Sequence, residues 1–473
     1  MFFNYRFKMF MCIMANRTFA TDMMTNFSHQ FSKHFFKLCH QLSTLFLIVS
    51  LASCGGGASS TNTSNNQASN RQTSNSQTAN NQSMKTTSSE NLTTSTALST
   101  MTPIDISAHP INEILKQYQP ITPNNTSVVT MPEQMRIMHV DLDYVYDANA
   151  TQLKRNMDAL IERIKTVQPN TVFLQAFADP DGNGSADETY FDNRHLPTRA
   201  NIFSTVSQAI KSNTDVQVIF AWLPVMAWEV PNNSDFVKHA NGDSTGYIRL
   251  SPFVEKNLHI IADIYQDFAK NNAVDGILFH DDLTLNDYED AHPDAIKTYA
   301  IWGYDQSYIT TPLQEKQLQF TQFKTAYLDQ LAYGLGELVK KYQTNIKTAR
   351  NSYAMTHLDS DSERWFAQSL ASTYKYYDYN AVMAMPYMEK VSNHQQFYLN
   401  LINAAKRHDS DLSHTIFELQ SVNWNTQQAI DSAEIIQDMQ YLESHGAKHF
   451  GYYPDNFYQN HPDGEAMRTQ FAQ

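Results

Sequence analysis

The densest group of chemically active residues follows a short apolar run at residues 277–279. His280, Asp281 and Asp282 come directly after that run. Three further acids follow in the next loop: Asp287, Glu289 and Asp290. Carboxylates packed this closely repel one another, so stability alone does not favour the arrangement. Two neighbouring carboxylates can supply a general acid and its partner. The structural alternative is a solvated acidic loop that caps the next helix.

The apolar run before these residues predicts a strand that is buried on both faces. Similar strand and helix signals alternate from residue 135 to the end of the chain. The predicted strands are 135–140, 171–177, 216–222, 274–280, 346–349, 381–385, 415–419 and 449–453. The predicted helices lie near 153–167, 202–211, 252–270, 313–342, 362–373, 394–408, 427–443 and 463–472. The alternation predicts an α/β fold, a (β/α)8 barrel, over residues 131–473. A doubly wound open sheet is the alternative, but no Gly-rich phosphate turn follows the first strand.

The C-terminal ends of barrel strands share one rim, and acidic or aromatic residues follow most of the predicted strands. The predicted substrate contacts are Asp141, Asp143, Tyr144, Trp222, His280, Arg350, Tyr387, Glu418, Trp424 and Asp455. Carboxylates bind sugar hydroxyls or act in hydrolysis, and aromatic rings stack on the apolar faces of sugars, so the set favours a carbohydrate cleft. The structural alternatives are a core role for Trp222 and a turn cap for Asp455.

Composition restricts the partners. The formal net charge is −14, which disfavours nucleic acid because phosphate binding needs a basic face. A neutral or cationic partner such as an amino sugar fits this charge better. The chain's three cysteines, Cys12, Cys39 and Cys54, all precede the predicted barrel. We therefore expect neither a disulfide nor a thiolate metal site in the barrel.

The first 53 residues have the features of a signal peptide, with Met23 or Met24 as an alternative start. Its apolar core ends in Leu51-Ala-Ser-Cys54, which resembles a bacterial lipobox, so we expect cleavage before Cys54 and lipidation of its thiol. After that cleavage Gly55 would be the second residue. By resemblance to other lipoproteins, glycine at this position implies an outer-membrane protein that faces the periplasm. Membrane contact is then through the lipid anchor only. Residues 55–108 are a polar, low-complexity tract that we expect to be a disordered tether, and 109–130 an extension into the barrel.

Several long sequence blocks resemble one family. The blocks are 139–147, 174–182, 249–253, 275–282, 347–351, 383–387 and 451–457. Together they resemble the C-terminal glycoside hydrolase domain (glycoside hydrolase family 153) of the PgaB family of poly-β-1,6-N-acetyl-D-glucosamine deacetylases. The resemblance implies a barrel that cleaves the partly de-N-acetylated polymer internally. It also implies that Asp281 and Asp282 face the sugar, that Tyr247 and Glu418 lie in the groove, and that an export porin is a partner.

The chain also departs from that family. The place of the family's deacetylase domain is taken by the 55–108 tract, and no deacetylase metal motif occurs, so deacetylase activity is not expected. Two other functions remain as alternatives. One is a non-catalytic, glycan-binding or export-assisting lipoprotein, and the other is a metal-dependent deacetylase.

The catalytic assignment rests on an analogy. Asp282 lies seven residues after Asp275-Gly276, and chitinases of a related barrel type place their catalytic acid in that relation to an Asp-Gly. Asp282 is therefore the predicted general acid, with Asp281 as its partner. The second step remains open between a water activated by a second carboxylate and attack by the substrate's acetamido group.

No cofactor and no metal are expected. The segment 179–184 resembles the start of a calcium loop, but position twelve is Tyr190 instead of Glu, which favours a tight polar loop. His445 and His449 have the spacing of a helical metal pair, but Gly446 and the following strand argue against a helix there.

Overall fold

The computed structural model describes residues 109–119, 130–242, 246–313 and 315–472. The predicted signal peptide at 1–53, the lipidation site at Cys54 and the tether at 55–108 lie outside the described residues. These three remain predictions from sequence.

Eight parallel strands close into a barrel in chain order. Strands β1 to β8 are Arg136–Val140, Thr171–Gln175, Val218–Leu223, Gly276–Phe279, Lys347–Tyr353, Tyr379–Met383, Thr415–Gln420 and His449–Tyr453. Each strand pairs with the next, and β1 closes on β8 with Arg136 opposite Phe450. The predicted barrel is therefore confirmed. The alternative of an open sheet is wrong, because the eight strands form a closed ring and leave no free edge.

Helices cover the outside of the barrel. The principal helices α1 to α8, one after each strand, are Ala150–Val167, Phe203–Asn213, Glu255–Asn271, Gln317–Lys340, Leu370–Tyr376, His394–Ala405, Ser432–Ser444 and Gly464–Phe471. Shorter helical segments are Pro110–Leu115, Leu142–Val145, Pro293–Ile301, Ser307–Thr310, Met355–Leu358, Ser360–Ser362 and Glu363–Phe366. Two short antiparallel ribbons pair Phe177–Ala178 with Glu188–Thr189 and Val422–Asn423 with Gln428–Ala429.

Local sequence explains several helix ends. The Asn149 side chain accepts the N–H groups of Thr151 and Gln152 and so caps α1. Asp431 and Asp463 cap α7 and α8 in the same way. The single helix predicted at 362–373 is interrupted, because Ala367 adopts a left-handed conformation with φ 48°. The helix Glu363–Phe366 ends there, and α5 begins three residues later.

The barrel is closely packed inside. Every residue of β2, β3 and β4 is buried, as expected for parallel strands covered by helices. Two glycines permit close approach of neighbouring strands. A Cβ on Gly276 would lie 2.3 Å from the Phe220 ring, and one on Gly451 would lie 2.5 Å from the Ile137 carbonyl oxygen.

The segment before the barrel packs on it. The helix Pro110–Leu115 contacts α3 and α4 and buries Ile111, Ile114 and Leu115. The Lys341 ammonium donates to the Leu115 carbonyl oxygen at 2.5 Å. The first part of the predicted extension therefore belongs to the packed helical layer. Among the described residues, none of the helices combines the length and apolarity needed to cross a bilayer.

Candidate active site

The carboxyl end of β4 opens into the candidate site. The strand ends at Phe279, and His280, Asp281 and Asp282 follow without an intervening residue. The His280 N–H donates to the Leu223 carbonyl oxygen of β3 at 2.9 Å, which continues the ladder past the strand end. All three side chains are buried. Strand pairing thus places an imidazole and two carboxylates at the rim where barrel enzymes hold catalytic groups.

The Asp281 carboxylate is held by side chains that can donate or exchange protons. The Tyr247 hydroxyl donates to Oδ1 at 2.7 Å, and His280 Nε2 lies 3.0 Å from the same oxygen. The Tyr353 hydroxyl donates to Oδ2 at 3.3 Å. All three of these partners are buried side chains, and none of them is a main-chain group.

Asp282 is surrounded by main chain instead. Its carboxylate accepts the N–H groups of Val225, Met226 and Ala227 at 3.0, 2.6 and 2.6 Å. The side chain is 0% exposed. Three amide donors stabilise the charged carboxylate and fix its position. Asp282 therefore ties the loop after β3 to the end of β4.

Glu418 lies inside the barrel, on β7. Its Oε1 is 3.3 Å from His139 Nε2 of β1, and its Oε2 accepts the Asn351 amide of β5 at 2.8 Å. The Trp222 ring of β3 lies 5.6 Å from the His139 ring, centroid to centroid. These four residues come from alternate strands, as expected for one side-chain layer of a barrel.

Ring contacts join this layer to the surroundings of Asp281. Trp222 lies 5.1 Å from the His280 ring and 5.5 Å from the Tyr453 ring, and Tyr247 lies 5.3 Å from His280. Trp424 stacks on Tyr453 at 6.3 Å with an interplanar angle of 27°. Trp222 is also part of the main core. It therefore fills the structural role considered for it and still contacts the site.

A second apolar cluster, separate from the main core, contacts Asp281 through two of its members. Its buried members are Ala227, Tyr247, Tyr353, Phe366, Met383, Met385, Met388, Val422 and Trp424. Tyr247 and Tyr353 belong to it and also donate to the Asp281 carboxylate. Aromatic rings and thioethers suit the apolar faces of sugar rings. We call this cluster the apolar wall.

Three ring nitrogens in this region have no hydrogen-bond partner among the described residues. They are Trp222 Nε1, His139 Nδ1 and His280 Nδ1. The last of these is 3.6 Å from Asp282 Oδ1, too long for a hydrogen bond. Buried polar atoms are rarely left unpaired. A ligand hydroxyl or a water molecule at these atoms would satisfy them.

The residues after β1 form an adjacent group. Asp141 accepts a hydrogen bond from the Tyr453 hydroxyl at 3.3 Å, so it borders the ring contacts. Asp143 accepts the Tyr190 hydroxyl at 2.6 Å and the Gln175 amide at 3.0 Å. Burial raises the pKa of Asp143 to about 6, although both hydrogen bonds oppose the shift.

Two predicted tyrosine contacts lie apart from the Asp281 group. The Tyr144 carbonyl oxygen accepts the Tyr458 hydroxyl at 2.8 Å, and burial raises the pKa of Tyr144 above its ordinary value. The Tyr387 hydroxyl donates to Glu434 at 2.6 Å. That hydrogen bond raises the pKa of Tyr387 to about 12. Neither hydroxyl contacts Asp281.

The predicted substrate contacts at Arg350 and Asp455 are corrected, because both side chains lie between the barrel and its helices. The Arg350 guanidinium pairs with Asp329 of α4 and donates to the Leu283 carbonyl oxygen at 2.7 Å. Asp455 accepts the Arg163 guanidinium of α1 at 2.7 Å. All four charged side chains are buried. The first ion pair joins β5 to α4, and the second joins the segment after β8 to α1.

The acids of the loop after β4 are also structural. Asp287, Glu289 and Asp290 are buried. Their partners are, in order, Arg364, Arg249 and the Ser251 hydroxyl, at 2.7, 2.7 and 2.6 Å. These contacts fix the loop next to Asp281 and Asp282. The solvated acidic loop considered from sequence does not describe these three residues.

Two sequence patterns resemble metal sites, the segment 179–184 and the pair His445 and His449, and the structure places them in different surroundings. Asp179 accepts the N–H groups of Gly182 and Gly184 at 2.8 and 2.7 Å, and burial raises its pKa to about 7. Carboxylate oxygens of Asp179, Asp181 and Asp187 lie within 4.8 Å of one another. His445 follows the end of α7 and His449 begins β8, so the two histidines do not share a helix face.

Sequence reasoning missed four residues of the site: His139, Asn351, Tyr353 and Tyr453. Asn351 and Tyr353 lie two residues apart on β5 and share the inner face, whereas Arg350 points outward. The sequence shows that neighbouring residues of β5 point to opposite faces of the strand. It does not show which of the two faces points into the barrel.

Comparisons with known proteins show the family of this chain. The family model GHL13, described as hypothetical glycosyl hydrolase family 13, matches residues 139–453. The poly-beta-1,6-N-acetyl-D-glucosamine N-deacetylase of Escherichia coli (strain K12) is 41% identical over 361 residues, which cover 73% of this chain and 54% of that protein. This chain therefore spans about half the length of the curated relatives it matches.

A solved structure matches the barrel. The PgaB (BpsB) glycoside hydrolase domain from Bordetella bronchiseptica is 40% identical with a TM-score of 0.68, and the match covers 72% of this chain and 99% of that chain. The GHL13 match begins at residue 139, within β1, and ends at residue 453, the last residue of β8. The chain therefore belongs to this glycosyl hydrolase family and carries a domain similar to the PgaB glycoside hydrolase domain.

Proposed function

We propose that this chain hydrolyses internal glycosidic bonds of partly de-N-acetylated poly-β-1,6-N-acetyl-D-glucosamine. Family membership supports glycoside hydrolysis. The name of the Escherichia coli relative supports the choice of polymer. De-N-acetylated sugars carry an amine, and a chain with a net charge of −14 does not repel a cationic substrate.

The observation that carries the proposal is the environment of Asp281. This carboxylate lies beside the apolar wall and contacts two tyrosine hydroxyls and an imidazole. A glycosidase needs a carboxyl group that can take up and release a proton next to the scissile oxygen. Asp281 has suitable partners for that role.

The roles of the two aspartates are therefore assigned in the reverse of the sequence prediction. Asp281 is the proton-transferring carboxyl group. Asp282 has a structural role, because it holds the loop after β3. The Asp282 oxygens already accept three main-chain N–H groups, so a proton on them would displace a hydrogen bond. Asp282 also fixes the loop that carries Ala227 of the apolar wall.

Sugar binding is the role of the surrounding residues. Trp424 and Tyr247 offer apolar ring surface, and Asp141 and Glu418 offer carboxylates for hydroxyl or amine groups. The unpaired nitrogens of Trp222 and His280 add donors or acceptors that a sugar hydroxyl would satisfy.

The test compares Asp281→Asn with Asp282→Asn on polymer of defined acetylation, with products identified by mass spectrometry. Asp281→Asn should lower the cleavage rate at least about 100-fold, the usual contribution of a general acid, while polymer binding persists. Asp282→Asn should mainly lower the free energy of unfolding, because its amide N–H₂ would face N–H donors. Full cleavage by Asp281→Asn would refute the assignment.

The same assay separates the other functions. Wild-type protein that binds the polymer but yields no shorter oligomers would support a glycan-binding lipoprotein. Acetate release without shortening would support deacetylation. The proposal also includes export, lipidation at Cys54 and an outer-membrane position facing the periplasm, supported by the lipobox-like sequence before Cys54. An outer-membrane export porin is the proposed protein partner.

A further inference from the structure

One histidine and two acids lie close together outside the candidate active site, between α6 and α7. His394 is the first residue of α6, and Glu434 and Asp438 lie four residues apart on α7. Residues at this spacing project from the same face of a helix. We propose that His394, Glu434 and Asp438 bind a divalent transition-metal ion, with Zn²⁺ as the best match.

The distances suit one shared ion. His394 Nδ1 lies 3.7 Å from Glu434 Oε1 and 3.8 Å from Asp438 Oδ2. The ligand atoms of all three residues lie within 4.8 Å of one another. In a tetrahedral site with bonds of about 2.1 Å, ligand atoms are roughly 3.4 Å apart. Small side-chain shifts would therefore bring all three to one centre.

The chemical type of the ligands narrows the choice of metal. One imidazole nitrogen and two carboxylate oxygens form a set that Zn²⁺ commonly binds. Mg²⁺ and Ca²⁺ prefer sites built from oxygen alone. The imidazole therefore favours a transition metal over these two ions.

Two tyrosines hold the carboxylates in place. The Tyr387 hydroxyl donates to Glu434 Oε1 at 2.6 Å, and the Tyr398 hydroxyl donates to Asp438 Oδ2 at 2.8 Å. The oxygens so fixed are the same two that lie nearest His394 Nδ1. Hydrogen bonds that orient ligand atoms are a usual feature of protein metal sites.

The site is open to solvent on one side. A shallow cavity of about 640 Å³ is lined by Tyr387, His394, Glu434 and Asp438, among others. The three ligand residues are partly buried, which leaves room for water to complete the coordination. An ordinary ion pair is the competing interpretation. In it, a protonated imidazole lies between the carboxylates, at distances longer than a hydrogen bond.

The proposed ion would support the candidate active site indirectly. It would join the first turn of α6 to α7 at the end of the loop that follows β6. That loop carries Met385 and Met388 of the apolar wall. The ion would therefore stabilise one side of the wall without contacting the substrate.

The test is metal binding by the full chain after removal of bound metal with a chelator. Calorimetric titration with ZnCl₂ should show a site in the wild type that is lost in His394→Ala and weakened in Glu434→Gln. Cys12, Cys39 and Cys54 can also bind Zn²⁺, so the result is the difference between wild type and variant. Co²⁺ should give a visible absorption band that His394→Ala removes.

His195→Ala is the matched control. It removes a partly buried histidine that lies 2.9 Å from a single aspartate, Asp263, on another part of the helical layer. Zn²⁺ should raise the melting temperature of wild type and His195→Ala by about 5 °C, and that of His394→Ala by much less. Glu434→Gln keeps the size of the side chain, so it covers the case of a misfolded alanine variant. Equal Zn²⁺ binding by wild type, His394→Ala and Glu434→Gln would overturn the proposal.

Discussion

Asp281 and Asp282 are adjacent in sequence but have opposite environments. A turn at the end of β4 directs one carboxylate to tyrosine hydroxyls and the other to main-chain N–H groups. The first carboxylate contacts groups that can exchange protons, whereas the second fixes a loop. An acidic pair at a strand end therefore need not contain two interchangeable catalytic groups.

Tyr247→Phe tests the support of Asp281. The change removes a 2.7 Å hydrogen bond to a carboxylate and keeps the ring in the apolar wall. We expect kcat for polymer cleavage to fall about 10- to 100-fold, as for one lost hydrogen bond to a charged group. Tyr118→Phe is the control, because it removes a 2.8 Å hydrogen bond to Asp263 in the helical layer. Equal kcat for both variants would contradict the role of Tyr247.

The raised pKa of Asp143 predicts that the free energy of unfolding depends on pH. Its pKa in the folded protein is about 6, above the ordinary 3.8, because of burial. The folded protein therefore keeps this proton between about pH 4 and pH 6, while the unfolded chain releases it. The stability that results is present below about pH 4 and is lost as the pH rises through 6.

Asp143→Asn cannot titrate, so this part of the pH dependence should disappear. Urea unfolding of both proteins at pH 4, 5, 6 and 7 measures the effect. Relative to the variant, wild type should lose up to about 2 kcal/mol across that range. Parallel stability curves for the two proteins would show that burial does not shift this carboxyl group.

At the scale of elements, the helix Pro110–Leu115 tests where the folded domain begins. Ile111 is fully buried against α4, near Gly334. Ile111→Asp would place an unpaired charge in that contact, so the free energy of unfolding should fall by about 2–4 kcal/mol. Asn112→Asp introduces the same group at the exposed neighbouring position and should have little effect. Denaturant titration measures both, and equal stability would mean that the helix does not contribute.

The barrel could be predicted from sequence because buried parallel strands are short apolar runs that alternate with helical spacing. β8 was predicted with its observed ends. The ends of the other strands differ from the predicted ones by at most two residues, except that β5 was predicted to end at 349 and ends at 353. β5 was cut short because Arg350 and Asn351 read as polar rim residues, although both are buried. The structural role of a charged strand residue such as Arg350 can be recognised only when its partner, here Asp329, is known.

The site was predicted only in part, for the same physical reason. Residues just after strand ends, such as Asp281, were expected at the site because the end of a barrel strand lies at the rim. Inner-face residues such as His139 and Tyr353 depend on which face turns inward. The His394, Glu434 and Asp438 group joins two helices that are far apart in sequence, so no local spacing indicated it.

The whole molecule combines an acidic catalytic domain with the predicted lipid anchor. A flexible coil as long as the tether predicted at 55–108 has a reach of roughly 40 Å, enough to hold a barrel away from a bilayer surface. A polymer passing through the periplasm would then reach the carboxyl end of the barrel without contact between the barrel and the membrane. Anchoring and catalysis should therefore be separable.

Cys54→Ser tests that separation. Without its thiol the chain cannot be lipidated, so it should move from the membrane fraction to the soluble fraction and lose labelling by a radioactive fatty acid. Cleavage of polymer in solution should be unchanged, because Cys54 precedes the barrel by more than the whole 55–108 tract. Cys39→Ser is the control, since its thiol lies before the predicted cleavage point and should be removed with the signal peptide. Membrane retention and fatty-acid labelling of Cys54→Ser would contradict the predicted anchor, whereas loss of cleavage in solution would show that the N-terminal segment takes part in activity.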